Sequence, residues 1–201
     1  MRGRLITFEG IDGAGKTTML ARAADWLRAR GIDVLATREP GGTEWGRRLR
    51  ALLMQQRPTA EAELLLFLAD RAEHVASLIR PALQRGQWVL CDRYTDSTIA
   101  YQIAARGLDE AACLPLLRFA EMGVRPDRTF WFDVPVSVAQ ARLQGRGRLS
   151  RFDRDKAQQA IAEAYRRLAA RDAMRIRRID ATAGPDAVFA QVQAGLRELL
   201  P

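Results

Sequence analysis

One octapeptide constrains this chain more than any other feature: Gly10-Ile11-Asp12-Gly13-Ala14-Gly15-Lys16-Thr17 matches G-x-x-x-x-G-K-[S/T]. It follows the strand-like run Leu5 to Glu9 and opens a helical pattern that starts at Thr17 and stops at Gly31, a residue suited to a C-terminal cap. Glycines in such a loop let the backbone wrap closely around a phosphate, and its amide N–H groups, with the positive end of the helix, supply an anion site. Lys16 adds a compact cation for the outer phosphates, and the Thr17 hydroxyl is a candidate Mg²⁺ ligand. Nucleotide phosphates are therefore expected along Gly10, Ile11, Asp12, Gly13, Ala14, Gly15, Lys16, Thr17 and the adjoining Thr18.

The rest of the chain repeats the same strand-then-helix order. Strand-like runs recur at Val34 to Thr37, Trp88 to Asp92, Thr129 to Asp133 and Ile176 to Asp180. Helical patterns lie between them: from about Ala60 to Pro81 or Gly86, then Asp96 to Ala105, Asp109 to Met122, Ser137 to Gln144, Asp153 to Asp172 and Asp186 to Leu200. This alternation implies an α/β fold, a five-stranded parallel sheet with helices on both faces. No linker, repeat or composition break divides it, so residues 1–201 are expected to form a single domain.

Composition narrows the setting. The apolar runs, such as Ala62 to Ala69, fall far short of the roughly 18 residues needed to span a bilayer. Met1 to Arg4 lead straight into a strand-like segment with no room for a signal peptide, so no membrane partner and a cytoplasmic location are expected. Cys91 and Cys113 are too few for a disulfide framework or zinc site and read as packing residues. With 32 basic against 24 acidic residues the net charge is +8, which suits phosphate-bearing ligands. Only Lys16 and Lys156 among the basic residues are lysine, and one of them occupies the motif position that wants a point charge. His74, the sole histidine, leaves almost no place for histidine acid–base chemistry and reads as a helix-surface or interface residue.

Two further segments complete a phosphate-transfer pattern. Trp88-Val89-Leu90-Cys91-Asp92 reads as a buried strand that delivers a carboxylate to the ligand edge of the sheet, where Asp92 can hold Mg²⁺ and Arg93 can reach a phosphate. Thr37-Arg38-Glu39-Pro40-Gly41-Gly42-Thr43 ends the second strand and precedes a helix, with a cation and a permissive glycine pair where an acceptor phosphate would dock. The chain contains no Asn, which closes the usual guanine-reading branch, and its small size favours a phosphotransferase acting on a small molecule.

Taken in order and spacing, Arg38 to Thr43, Asp92-Arg93-Tyr94, Ala100-Tyr101-Gln102, Pro126-Asp127 through Pro135, and Ile179-Asp180-Ala181-Thr182 resemble the thymidylate kinase family over essentially the whole chain. The resemblance implies a P-loop NTPase fold with a lid at about residues 144–153, and Mg²⁺-dependent transfer of the γ-phosphoryl of ATP to dTMP. It implies that Phe67 stacks on the thymine ring while Arg71, one helical turn on, reaches its exocyclic oxygen; from helical spacing alone Phe67 would simply join Leu64 and Leu68 on an apolar face. By the same resemblance Asp12 meets the sugar 3′-hydroxyl, Arg38 and Arg93 clamp the monophosphate, and Tyr101 crowds a 2′-hydroxyl. Ser97, Thr98 and Gln102 finish the polar lining, with Thr98 and Gln102 equally placed to read the base edge. Glu9 either orders Mg²⁺-bound water or is a buried carboxylate bonded to loop amides. The catalytic cations are expected to be Lys16, Arg93 and two lid arginines, Arg146 and Arg151. A twofold homodimer through the helix around Leu64 to Ile79 is implied as well. The alternatives are another nucleotide or deoxynucleoside kinase, or a basic nucleic-acid-binding ATPase; against the latter, no stripe of aromatics interleaves the basic residues, and no nucleic-acid partner is expected.

Overall fold

A computed structural model describes residues 3–56, 58–145 and 155–200. The described elements are β1 (Leu5–Glu9), α1 (Lys16–Arg28), β2 (Val34–Arg38), α2 (Glu44–Gln55), α3 (Ala60–His74), a π-helical turn (Val75–Ile79) and α4 (Arg80–Gln84). They continue with β3 (Trp88–Asp92), α5 (Thr95–Thr98), a second π-helical turn (Ile99–Ala104), α6 (Glu110–Glu121), β4 (Arg128–Asp133), α7 (Val136–Gln144), α8 (Asp155–Arg171), β5 (Ile176–Asp180) and α9 (Pro185–Arg197). All five strands pair in parallel in the order β2-β3-β1-β4-β5, as the P-loop NTPase fold requires. Their C-terminal ends therefore lie along one edge, which brings Glu9, Arg38 and Asp92 together from positions far apart in the chain.

Alternation along the strands divides the core. Ile6, Phe8, Leu90 and Phe130 face the layer that contains Met19, Ala23 and Leu27 of α1 with Val192 and Leu196 of α9. Leu5, Val89 and Cys91 face Val75, Ile79 and Ala82 on the opposite side. Phe8 packs between Phe130 and Phe132, with ring centroids 5.6 and 5.9 Å away. Both cysteines are buried and free, in keeping with packing roles. Helix α1 stops as expected: Gly31 takes a left-handed φ of 77°, and the Gly31 and Ile32 amides bond back to Arg28 and Leu27.

The helix expected over Asp96 to Ala105 turns π-helical at Ile99–Ala104, and the segment from Ala60 departs from the sequence reading in two ways. The helix expected to run unbroken from Ala60 to Pro81 or beyond widens into a π turn at Val75–Ile79. Pro81, one residue into the next helix, has no N–H for an i→i−4 bond and its ring crowds the carbonyl a turn earlier, so the ladder must open before it. The stretch Leu64 to Ile79 was expected to present an apolar face to a second copy, but Leu64, Leu68, Val75 and Ile79 are buried within the chain itself. Leu64 and Leu68 pack on Cys113 and Leu117 of α6, and the exposed apolar side chains of this pair of helices are Leu65, Leu116 and Phe119. No helix among the described residues is long and apolar enough to cross a membrane.

Candidate active site

The loop between β1 and α1 curls over the edge of the sheet. Gly15 takes φ 93° immediately before the first helical residue, and Gly13 takes φ 84°. A Cβ at Gly13 would lie 2.3 Å from the Ala139 carbonyl oxygen of α7, so the position is closed to any side chain. Lys16 is buried and its Nζ donates to the Ile11 carbonyl across the loop at 2.8 Å. Burial, and next the Arg93 guanidinium, push the Lys16 ammonium down to about 8. Because β1 and β3 are neighbours in register, the start of α1 meets the end of β3, and the Thr17 hydroxyl donates to Asp92 Oδ2.

This Thr17–Asp92 pair fits Mg²⁺, which is commonly held by one or two protein oxygens while substrate phosphates and water fill the remaining positions. Among the described residues no cluster of three or more His, Cys, Asp or Glu forms a separate all-protein metal cage. Glu9 is arranged as the buried carboxylate of its two alternatives: Oε1 accepts from the Tyr94 amide at 2.6 Å, and Oε2 from the Ser97 and Tyr165 hydroxyls at 2.5 and 2.9 Å. Burial, and then the Asp96 carboxylate, push Glu9 up to about 7.

Beside this edge lies a cavity of about 320 Å³. Asp12, Arg38, Phe67, Arg71, Arg93, Ser97, Thr98, Tyr101 and Gln102, all singled out from the sequence, line it together. Arg93 takes a left-handed conformation, φ 73°, costly for a non-glycine residue; its backbone N–H donates to the Phe8 carbonyl at 3.0 Å, and its guanidinium makes four further bonds. Its Nη1 donates to the Gly10 carbonyl and to Ser97, both at 3.1 Å, and its Nη2 to Asp12 at 2.5 Å and to the Tyr101 hydroxyl at 3.0 Å. Phe67 faces the cavity and is not sealed into the apolar face with Leu64 and Leu68. Gln102 spends its amide nitrogen on Glu63 at 3.1 Å, whereas Thr98 makes no such tie to a carboxylate among the described residues.

Other residues at the site were given no role there by the sequence, although Glu39 lies within the Thr37 to Thr43 motif. Arg50 of α2 lines the cavity and donates to the Pro40 carbonyl at 3.1 Å; a helical arginine among several has no local mark of its role. Glu39 of the Arg38 to Thr43 turn is buried and holds Arg71 through Nε and Nη2, each at 2.8 Å. Burial alone would raise the Glu39 carboxyl, but Arg71 and His74 bring it below the ordinary carboxylate value. Asp70 accepts from the Gly41 amide at 3.1 Å and is pushed up to about 6 by burial and then by Glu39. His74, expected on a surface or interface, is instead wholly buried: the helix face that carries Arg71 and His74 packs beneath the turn, where the imidazole bonds Thr37 and Glu39. Arg146 and Arg151, with most of the expected lid, lie outside the described residues.

A family model described as Thymidylate kinase matches residues 8–192. A Thymidylate kinase of Chromohalobacter salexigens is 47% identical over 205 residues, covering 98% of this chain and 97% of the relative. Proteins of the same name from Pseudomonas fluorescens and Bordetella pertussis are 48% and 46% identical, covering 100% and 99% of this chain and 96% and 97% of their own lengths. With a P-loop at the sheet edge, a cavity lined by aromatic and basic side chains beside it and similarity that runs nearly end to end, this chain belongs to the thymidylate kinase family.

Proposed function

We propose that the protein transfers the γ-phosphoryl group of ATP to dTMP, releasing dTDP and ADP. The observation that carries the acceptor assignment is the cavity itself, lined together by the Phe67 ring, the donor-only Arg71 guanidinium and the cations Arg38 and Arg93. Phe67 stacks on the base, and Arg71 meets a ring carbonyl, which a donor-only group favours over an amino group. Tyr101, bound to Arg93, crowds the sugar where a ribose would carry its 2′-hydroxyl, and Asp12 takes the 3′-hydroxyl. Arg38 and Arg93 clamp the monophosphate.

On the donor side the loop from Gly10 to Thr18 wraps the ATP phosphates, and Lys16 leaves the Ile11 carbonyl for their outer oxygens. Thr17 and Asp92 are the residues that would hold Mg²⁺, which when bound neutralises charge on the β- and γ-phosphates. No protein nucleophile is required. Catalysis consists of holding two phosphates in line and surrounding the transferred group with cations. The test is ADP release from Mg-ATP with a panel of nucleoside monophosphates. dTMP is expected to be the fastest acceptor, and faster turnover of AMP or CMP would refute the substrate assignment while leaving a kinase.

Leu65 on α3 and Leu116 and Phe119 on α6 support a homodimer, because these two helices pack together and leave large apolar side chains in solvent. Sedimentation at working concentration is expected to give about twice the mass of one chain, and a single 22.5 kDa species would overturn it.

A further inference from the structure

His74 closes α3 beneath the turn that carries Arg38 to Thr43, and every polar atom of its ring has a partner there. Nε2 lies 2.8 Å from the Thr37 hydroxyl and Nδ1 lies 3.0 Å from Glu39 Oε1. The other Glu39 oxygen, Oε2, accepts from Nε and Nη2 of Arg71, and the Arg71 guanidinium also lies over the Tyr94 ring at 4.9 Å. An ionised Glu39 can only accept, so His74 Nδ1 must carry the proton. The turn is shaped to admit the ring: a Cβ at Gly42 would lie 2.4 Å from Nε2. At the far end of this chain of contacts Arg71 Nη1 is buried without a hydrogen-bond partner, on a side chain that lines the acceptor cavity.

We propose that His74 is a positioning residue for base selection: by occupying Glu39 Oε1 it restricts that carboxylate to one side of the Arg71 guanidinium and leaves Nη1 to the carbonyl edge of a pyrimidine. The proposal rests on the assignment of dTMP as acceptor. A carboxylate with both oxygens free pairs with arginine through two parallel bonds, and a buried oxygen left without a donor is costly. Without the histidine donor, Glu39 turns to engage Arg71 more fully and draws Nη1 away from the cavity. Thymine offers an acceptor at C4 and cytosine a donor, so the loss falls on discrimination between the two. The imidazole's hydrogen bonds go to Thr37 and Glu39 and not to the phosphate clamps Arg38 and Arg93, so turnover at saturation is spared.

Two substitutions separate this role from packing. In His74→Asn the amide nitrogen takes the place of Nδ1, whereas the longer His74→Gln places its amide near Nε2 and loses the donor to Glu39. His74→Gln is expected to raise the KM for dTMP about tenfold and to lower the preference for dTMP over dCMP, as a ratio of kcat/KM, about tenfold. Its kcat and KM for ATP should stay within about threefold of the parent, and His74→Asn should recover most of the lost preference. A purely space-filling role predicts the reverse ranking, because Gln is the closer match in volume; that ranking, or an unchanged preference in both variants, overturns the proposal. The chain's single histidine also allows a reading that needs no variant to fold. In the parent protein, nitrogen NMR of a histidine-labelled sample should show Nδ1 protonated, and a bare Nδ1 overturns the proposal. A parent that prefers another acceptor refutes the dTMP assignment on its own, and the NMR measurement still decides whether the histidine donates to Glu39.

Discussion

Lys16→Ala is expected to lower kcat by about three orders of magnitude while the fold survives. The lysine has no partner in the apolar core: its stem runs along the phosphate loop and its ammonium rests on the Ile11 carbonyl. Burial, and then Arg93, hold the ammonium near 8, so at neutral pH it is a cation kept in poor solvation beside another cation. An incoming phosphate adds to the partial counter-charge of Asp12, Asp92 and Glu9, and the benefit grows as charge spreads over the oxygens of the transferred group. Lys16→Arg should not rescue activity, because a planar fork cannot follow the tight curve of the loop as a point charge does. ADP release and thermal unfolding measured on the same preparations check both halves. Near-normal turnover in the alanine variant would overturn the assignment of the loop.

The second large effect concerns a donor-side arginine in addition to Lys16. The guanidiniums that line the cavity proposed for the acceptor are Arg38, Arg50, Arg71 and Arg93, and Arg38 also borders Thr17 and Asp92. Arg93 is already bound to Gly10, Asp12, Ser97 and Tyr101. The phosphate loop itself cannot carry another arginine at Gly13, since the α7 backbone leaves no space for a Cβ. The sequence from the end of α7, Gln144-Gly145-Arg146-Gly147-Arg148-Leu149-Ser150-Arg151, sets Arg146 between two glycines and follows it with Arg148 and Arg151. We propose that Arg146 first, or Arg151 second, provides the donor-side cation. Alanine at that position should reduce kcat about 10³-fold with little change in nucleotide Kd, the mark of a contact made chiefly in the transition state. The measurement is kcat and Kd, taken separately, for Arg146→Ala, Arg148→Ala and Arg151→Ala; retention of kcat within a few-fold in all three would send the search elsewhere.

Much of the site was legible because its signals are local. The phosphate loop lies within eight residues, and the strand ends that deliver Asp92 and Arg38 are marked by apolar runs that stop at a charge. Phe67 and Arg71 share a helix face by spacing, and α1 ends where Gly31 permits a left-handed turn. β1, β3 and β5 have the bounds that periodicity predicts.

What the sequence determined by itself was the order of strands and helices, the chemistry of the loop and the residue types at each sheet end, since each depends on neighbours within a turn or two. Only the tertiary structure decided which of those residues hold one another. Glu39 meets Arg71 across 32 positions and Glu9 meets Tyr165 across 156, and no local pattern records such a pairing. His74 looked like a surface residue because a polar side chain on a mostly apolar helix is usually solvated; it is buried because Thr37 and Glu39, on a different strand and turn, satisfy both of its nitrogens. The physical reason is the same throughout: secondary structure follows from short-range sterics and periodicity, whereas burial of a charge is tolerated only when distant parts of the chain arrive with the right partner.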